Sequence, residues 1–235
     1  GLGAALARRF AREGFTVALS GRNADRLELR RQEIAATGAT ALALPVDLAD
    51  EAAVREAAAR LHQQGALVAA VFNAGSFERA PTLELTSAQF EQTWRTSTLA
   101  GFLFAQAALR AILANGRAAD APGGRGSLIL TGATAALRGR PPYGAFAAAK
   151  AALRSLSQTL AREFGPQAVH VAHVVVDGGI DGERLRSSAP QRAEAAGADG
   201  LLDPDAIADA YWQLHAQHRS AWSQEIDLRP FKEVF

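Results

Sequence analysis

The chain has 235 residues, 49% of them apolar and 21% charged, with a formal net charge of +1, which fits one globular α/β domain with a sizeable core. Basic residues form no stripe with interleaved aromatics, so nucleic acid is not an expected partner. Cysteine is absent, which excludes disulfides, thiolate metal sites and cysteine nucleophiles. A cytoplasmic location is expected from this, and no metal site is expected, because no metal-ligand spacing appears.

Taken in order, short apolar runs alternate with longer amphipathic stretches. The sequence opens Gly1-Leu2-Gly3 and passes straight into a helix to about Glu13, with Leu2, Leu6 and Phe10 on one face. A preceding strand and the first part of a Gly-rich turn are expected upstream of Gly1. Gly14 closes this helix in a left-handed cap. A strand is predicted at Phe15–Ser20, a helix at Asn23–Ala36 ending at Gly38, and a strand at Thr40–Pro45. A helix over Ala52–Gln63, with Asp50 as N-cap, leads to a strand at Ala66–Phe72. A long helix over Ser87–Ala114, kinked near Gly101, comes before a strand at Gly126–Thr131. The helix Ala145–Phe164 carries Leu153, Leu156, Leu160 and Phe164 along one side. A strand follows at Val169–Val176, then a polar, Ala-rich stretch at about 181–203 with the length and composition of a substrate lid. Pro204–His218 reads as a helix and Glu225–Leu228 as an edge strand. No run approaches the roughly 18 apolar residues of a membrane span, so no membrane partner is expected.

Strands that are apolar throughout need cover on both sides. The fold class expected is therefore a single-domain α/β chain over residues 1–235. It is doubly wound and Rossmann-like, with a mostly parallel sheet and helices on both faces. Ligands in such sheets bind outside the strand carboxyl ends.

The residues at those ends suggest a dinucleotide. Gly1, Leu2 and Gly3 open a helix N-terminus, where backbone N–H groups suit a pyrophosphate, although a plain tight turn has the same composition. The next strand ends Ser20-Gly21-Arg22-Asn23, without the acid that accepts ribose hydroxyls in NAD sites. Arg22 can pair with a 2′-phosphate, with Ser20 and Asn23 adding neutral hydrogen bonds, so NADP is the expected cofactor. The competing reading is a solvated arginine at a helix start.

Asp47-Leu48 and Asn73-Ala74-Gly75 each follow a strand, and Lys150 lies on the second long helix. Together with the Gly turn, these motifs stand in the order and spacing of the short-chain dehydrogenases/reductases, which the chain resembles over nearly its whole length. The resemblance implies that Asp47 and Leu48 border the adenine and that Asn73, Ala74 and Gly75 pass beside the ribose and nicotinamide. It also implies a homodimer or homotetramer built on the two long helices and the C-terminal strand, with Trp222 buried at the contact.

The family carries Tyr-x-x-x-Lys on that helix and a Ser about a dozen residues earlier. Lys150 matches the Lys, which binds the ribose hydroxyls and lowers the Tyr pKa. Phe146 stands at the Tyr position, Ala133 at the Ser position, and Thr98 at a polar position usually held by Asn. Tyr143 and Thr134 are the candidate substitutes, each with a structural alternative: ring packing for Tyr143, backbone bonding for Thr134. Asp177-Gly178-Gly179 replaces a Pro-Gly turn, either to let the backbone approach the nicotinamide amide or as a plain turn. His170 and His173 read as core or lid-facing residues.

Two functions follow from this pattern. One is an NADP-dependent oxidoreductase with an altered proton-donor set, acting on a small-molecule substrate, an unidentified carbonyl or enone. The other is an NADP-binding sensor or assembly protein that does not turn over. A non-redox lyase or isomerase also fits, because fold does not fix function.

Overall fold

A computed structural model describes residues 1–232. By internal contacts the chain divides into two compact units, each discontinuous in sequence. The chain passes back and forth between the segments of both, so no linker marks a boundary.

The first unit comprises residues 1–45, 176–214 and 227 onward. Helix α1 (Leu2–Arg12) leads to strand β1 (Val17–Gly21), helix α2 (Ala24–Ala35) and strand β2 (Ala41–Pro45). β1 and β2 pair in parallel from Val17↔Ala41 to Gly21↔Pro45. The expected stripe of Leu2, Leu6 and Phe10 is buried, and Gly14 reverses the chain at φ +85°. Phe10, Phe15 and Trp212 stack edge to face at 5.5–5.8 Å, a geometry that aromatic quadrupoles favour. Within this unit the expected lid is two short, mostly exposed helices, α7 (Glu183–Ser188) and α8 (Pro190–Ala196). Pro190 starts the second, a position where its missing N–H costs nothing. Helix α9 (Pro204–Ala216) follows.

The second unit comprises residues 46–175 and 215–226. It contains α3 (Glu51–His62), β3 (Ala69–Phe72), α4 (Ser87–Trp94), α5 (Ala100–Leu113), β4 (Gly126–Thr131), α6 (Gly144–Phe164) and most of β5 (Val169–Val176). β3–β4 and β4–β5 are parallel. Strand β6 (Glu225–Leu228) completes the order β3-β4-β5-β6. Every residue of β4 and β5 is buried, as continuous apolar runs require. Asp50 caps α3, accepting from Ala52 N at 2.9 Å and Ala53 N at 3.1 Å.

Three expectations change here. β3 begins at Ala69 rather than Ala66, where its ladder with β4 starts at Ala69↔Ser127. The long helix is continuous, and its irregularity is a π-helical turn, Arg95–Leu99, that joins α4 to α5 just before Gly101. Gly101 serves close packing instead: a Cβ there would lie 2.6 Å from Leu153 Cδ1 and 3.2 Å from Phe72 Cε1. Finally, Ser87–Leu113 is long and apolar enough to cross a membrane by length and composition, but half of its most apolar window is buried within the protein, as suits a core helix.

Candidate functional site

In the first unit, α1 starts without a side-chain cap and without an acidic residue in its first turn. Gly1 O accepts from Ala4 and Ala5, and a helix N-terminus of this kind carries partial positive charge. The Leu2 side chain is core, so it can offer a ligand only its backbone, while Gly3 is exposed. Ser20, Arg22 and Asn23 are all exposed at the carboxyl end of β1. Among the described residues Arg22 has no acidic partner. The Asn23 side-chain oxygen caps α2, accepting from Arg26 N at 2.8 Å, which leaves its amide nitrogen for other bonds.

The Asp177-Gly178-Gly179 turn is filled from within the unit. A Cβ at Gly178 would lie 2.7 Å from Pro230 Cδ, and one at Gly179 would lie 2.9 Å from Leu201 Cδ2. These glycines make room for the chain's own side chains. The hydroxyls of Ser187 and Ser188 on α7 bond Arg184 O, and Asp181 holds Arg186 by two bonds of 2.6 and 2.8 Å.

The second unit gathers the other predicted residues. Asp47 is exposed and accepts from Ala49 N at 3.0 Å, a local turn that fixes the loop where Leu48 packs partly buried. Asn73 is exposed and its side chain has no partner among the described residues. Ala74 and Gly75 follow it, and the space where a Cβ of Gly75 would sit is flanked by Ser97 Oγ at 3.3 Å and Lys150 Nζ at 3.6 Å. The Lys150 ammonium is thus brought beside the Asn-Ala-Gly turn.

Lys150 is 6% exposed. Its Nζ donates to Thr131 O at the end of β4, 2.9 Å away, and lies 5.9 Å from the centroid of the Phe146 ring. Burial lowers its pKa from the usual 10.5 to about 8, since desolvation penalises the charged form. An ammonium has three donors, and among the described residues one is committed, to Thr131 O. Ser97, 0% exposed, has a hydroxyl without a partner among the described residues. Two unspent polar groups therefore converge on Gly75, in a place where leaving them unmet is costly.

The expected substitutes for the missing hydroxyls fare differently. Tyr143 precedes α6 rather than extending it. Its ring packs against Phe77 at 5.2 Å, and Phe77 in turn meets Phe146 at 5.1 Å. The ring-packing reading of Tyr143 therefore holds, while its hydroxyl has no partner among the described residues. Thr134 opens a short 3-10 turn directly after Ala133. Thr98 is committed elsewhere, donating to Ala149 O at 2.9 Å, and so ties the π-helical turn to α6.

Sequence reasoning missed Ser97, Phe77 and the partners of His170 and His173, the two β5 histidines it expected to be core or lid-facing. His170 stacks flat on Trp222, with ring centroids 4.9 Å apart. Trp222 lies ahead of the edge strand rather than in it, and its ring is engaged within the chain. His173 Nδ1 lies 2.9 Å from Glu225 Oε2, and Arg154 holds the same carboxylate. One signal was available: Arg154 stands one turn beyond Lys150.

A family model described as Enoyl-(Acyl carrier protein) reductase matches residues 1–222. The short-chain dehydrogenase/reductase eriH of Hericium erinaceus is 33% identical over 174 residues, 72% of this chain and 66% of that protein. Sorbitol dehydrogenase of Cereibacter sphaeroides is 30% identical over 184 residues, 78% of this chain and 68% of that protein. The match thus spans about two thirds of these relatives' length. Among solved structures, a short-chain dehydrogenase from Rhodopseudomonas palustris is 34% identical, with a TM-score of 0.81 over 98% of this chain and 93% of that one. A metagenomic short-chain oxidoreductase solved with NADP is 26% identical, with a TM-score of 0.78 over 98% and 92%. These likenesses show the mostly parallel, Rossmann-like fold expected from the sequence.

Proposed function

We propose, from the premise that the chain belongs to the short-chain dehydrogenase/reductase family, that it is an NADP-dependent oxidoreductase with an altered proton-donor set, acting on a carbonyl or enone. The observation that carries this is Lys150. It keeps the family's lysine position with its ammonium buried and held at Thr131 O, while Phe146 and Ala133, at the family's Tyr and Ser positions, carry no hydroxyl.

The residues present fit a phosphorylated dinucleotide. The uncapped start of α1, with Gly1, Leu2 and Gly3, offers backbone donors to the pyrophosphate. Arg22, with no acid beside it, suits the 2′-phosphate, assisted by Ser20 and the Asn23 amide. Asp47 and Leu48 border the adenine, and Asn73, Ala74 and Gly75 pass beside the ribose. The unspent donors of Lys150 hold ribose hydroxyls. When bound, the cofactor supplies a hydride. The chain's own task is then to position the acceptor and provide a proton, from Tyr143, from Thr134 or from water admitted at their loop. Helices α7 and α8 act as the lid. The long helices form a homodimer or homotetramer contact, and the cytoplasm is the proposed location.

A second reading, an NADP-binding sensor or assembly protein, is favoured by the Phe146 ring. That ring packs on Phe77 where the family places its acid. The two separate by NADPH fluorescence titration followed by NADPH oxidation over a carbonyl and enone panel. Slow oxidation supports the enzyme, and binding without any oxidation supports the sensor. The double change Phe146→Tyr with Ala133→Ser is expected to raise carbonyl reduction by about 100- to 10,000-fold, the usual contribution of general acid catalysis. No gain while NADPH still binds would mean the substrate pocket is lost.

A further inference from the structure

One buried ionisable ring beside Lys150 has no part in the reaction above. His173 is 0% exposed on β5, with Nδ1 2.9 Å from Glu225 Oε2. Arg154 donates to the same carboxylate from Nε and from a terminal nitrogen, each at 2.6 Å. A carboxylate held by arginine is ionised and only accepts, so Nδ1 of His173 carries the hydrogen and Nε2 of the neutral ring is a bare acceptor. Nε2 has no hydrogen-bond partner among the described residues, and it does not face open space. It lies against Gly132, where any Cβ would overlap Nε2 and Cε1 of the ring. Gly132 is the residue between Thr131, whose carbonyl holds the Lys150 ammonium, and Ala133.

These contacts close a circuit through four elements. Lys150 on α6 bonds the end of β4, and Gly132, the residue just after β4, rests on His173 of β5. His173 bonds Glu225 of β6, and Glu225 bonds Arg154, one helical turn beyond Lys150. A leucine at 173 would fill the same interior without a stranded acceptor, which costs about 1–3 kcal/mol, so packing alone does not account for the imidazole. We propose that His173 is a positioning residue for Lys150: its ring, fixed by Glu225 and Arg154, sets the backbone at 131–132 and through it the seat of the ammonium. Glu225 from β6 and Arg154 and Lys150 from α6 are the charged groups that act on the ring, and β4 brings none at 131–132. The proposal rests on the reading of Lys150 as the cofactor-side lysine, but its main measurement needs no turnover.

The sequence contains two lysines, Lys150 and Lys232, so 13C-ε-labelled lysine gives two NMR signals, and Lys150→Arg assigns them. The full chain is titrated as wild type, His173→Leu and His173→Asn, with NADPH affinity measured beside it. His173→Leu is expected to move the Lys150 pKa by about one unit or more and to weaken NADPH binding about tenfold. His173→Asn, whose amide still donates to Glu225, is expected to stay near wild type in both. Unchanged Lys150 titration in a folded His173→Leu protein overturns the proposal. If that variant does not fold, the cycle of Gly132→Ala, His173→Ala and the double change decides. Rescue of Gly132→Ala stability and Lys150 titration by His173→Ala supports the contact, and additive losses overturn it. Wild type that binds no dinucleotide refutes the oxidoreductase reading and leaves the Lys150 titration as the test of His173.

Discussion

Replacing Lys150 by methionine removes a buried positive charge and keeps an unbranched side chain of similar length, so the variant isolates the titration of one group. In the fold its pKa is lowered to about 8 by burial, against about 10.4 in an unfolded chain. A lowered lysine pKa means that the folded state disfavours the proton. Its penalty is present in full below pH 8 and is relieved as pH rises from about 8 to 10.4. At pH 7 the penalty is about 3 kcal/mol, and at pH 10 it falls below about 1 kcal/mol. Loss of the bond to Thr131 O in the variant adds a cost that does not depend on pH. The stability difference between wild type and Lys150→Met should therefore shift by about 2 kcal/mol in favour of wild type between pH 7 and pH 10. Urea denaturation of both proteins at four pH values measures it. Parallel stability curves across that range would refute the account of Lys150 as a desolvated ammonium.

Arg22→Ala is expected to lower NADPH affinity by about 10- to 100-fold, the loss of a charge-assisted phosphate pair, with little change for NADH; calorimetry with both dinucleotides reads the ratio. Trp94→Glu is expected to dissociate the proposed oligomer, since Phe90, Trp94 and Phe102 are 41–42% exposed on the long helix and apolar rings left exposed on one element suit a partner surface. Sedimentation velocity checks it, and a wild type that is already monomeric rejects it. Gly101→Ala is expected to destabilise by about 1–3 kcal/mol through overpacking against Leu153 and Phe72, and a second change, Leu153→Ala, to recover part of that loss in chemical denaturation.

The strands at 126–131 and 169–176 were legible to the residue as nearly continuous apolar runs, and 225–228 as a short alternation of charged and apolar residues ahead of Pro230. Asp50, Gly14 and the stripe of α1 were legible for similarly local reasons. What escaped was long-range. A π-helical turn leaves no mark in residue type, and Gly101 looks like a breaker until Leu153 is seen to occupy the space of its absent Cβ. Thr98 reads as a catalytic position until the Ala149 carbonyl is seen to accept its hydroxyl. His173 and Glu225 lie more than fifty positions apart, and no periodicity relates them. Trp222 reads as a residue of an oligomer contact because its stacking partner, His170, lies some fifty positions away on β5.

The same residues separate two tasks that one lysine usually performs. In the family pattern the lysine both holds ribose hydroxyls and lowers the pKa of a tyrosine four residues earlier. Here the side chain at that position is Phe146, its ring centroid 5.9 Å from Nζ, which has no proton to release and whose face favours a cation. The electrostatic pull that would activate a phenol therefore acts on nothing that titrates. On the proposed reading what is left to Lys150 is binding, so its loss should fall on cofactor affinity and leave the proton-limited rate of the bound complex nearly unchanged. Installing tyrosine at 146 would restore the second task, and only then should substitution of Lys150 lower the rate of the bound complex as well as the affinity.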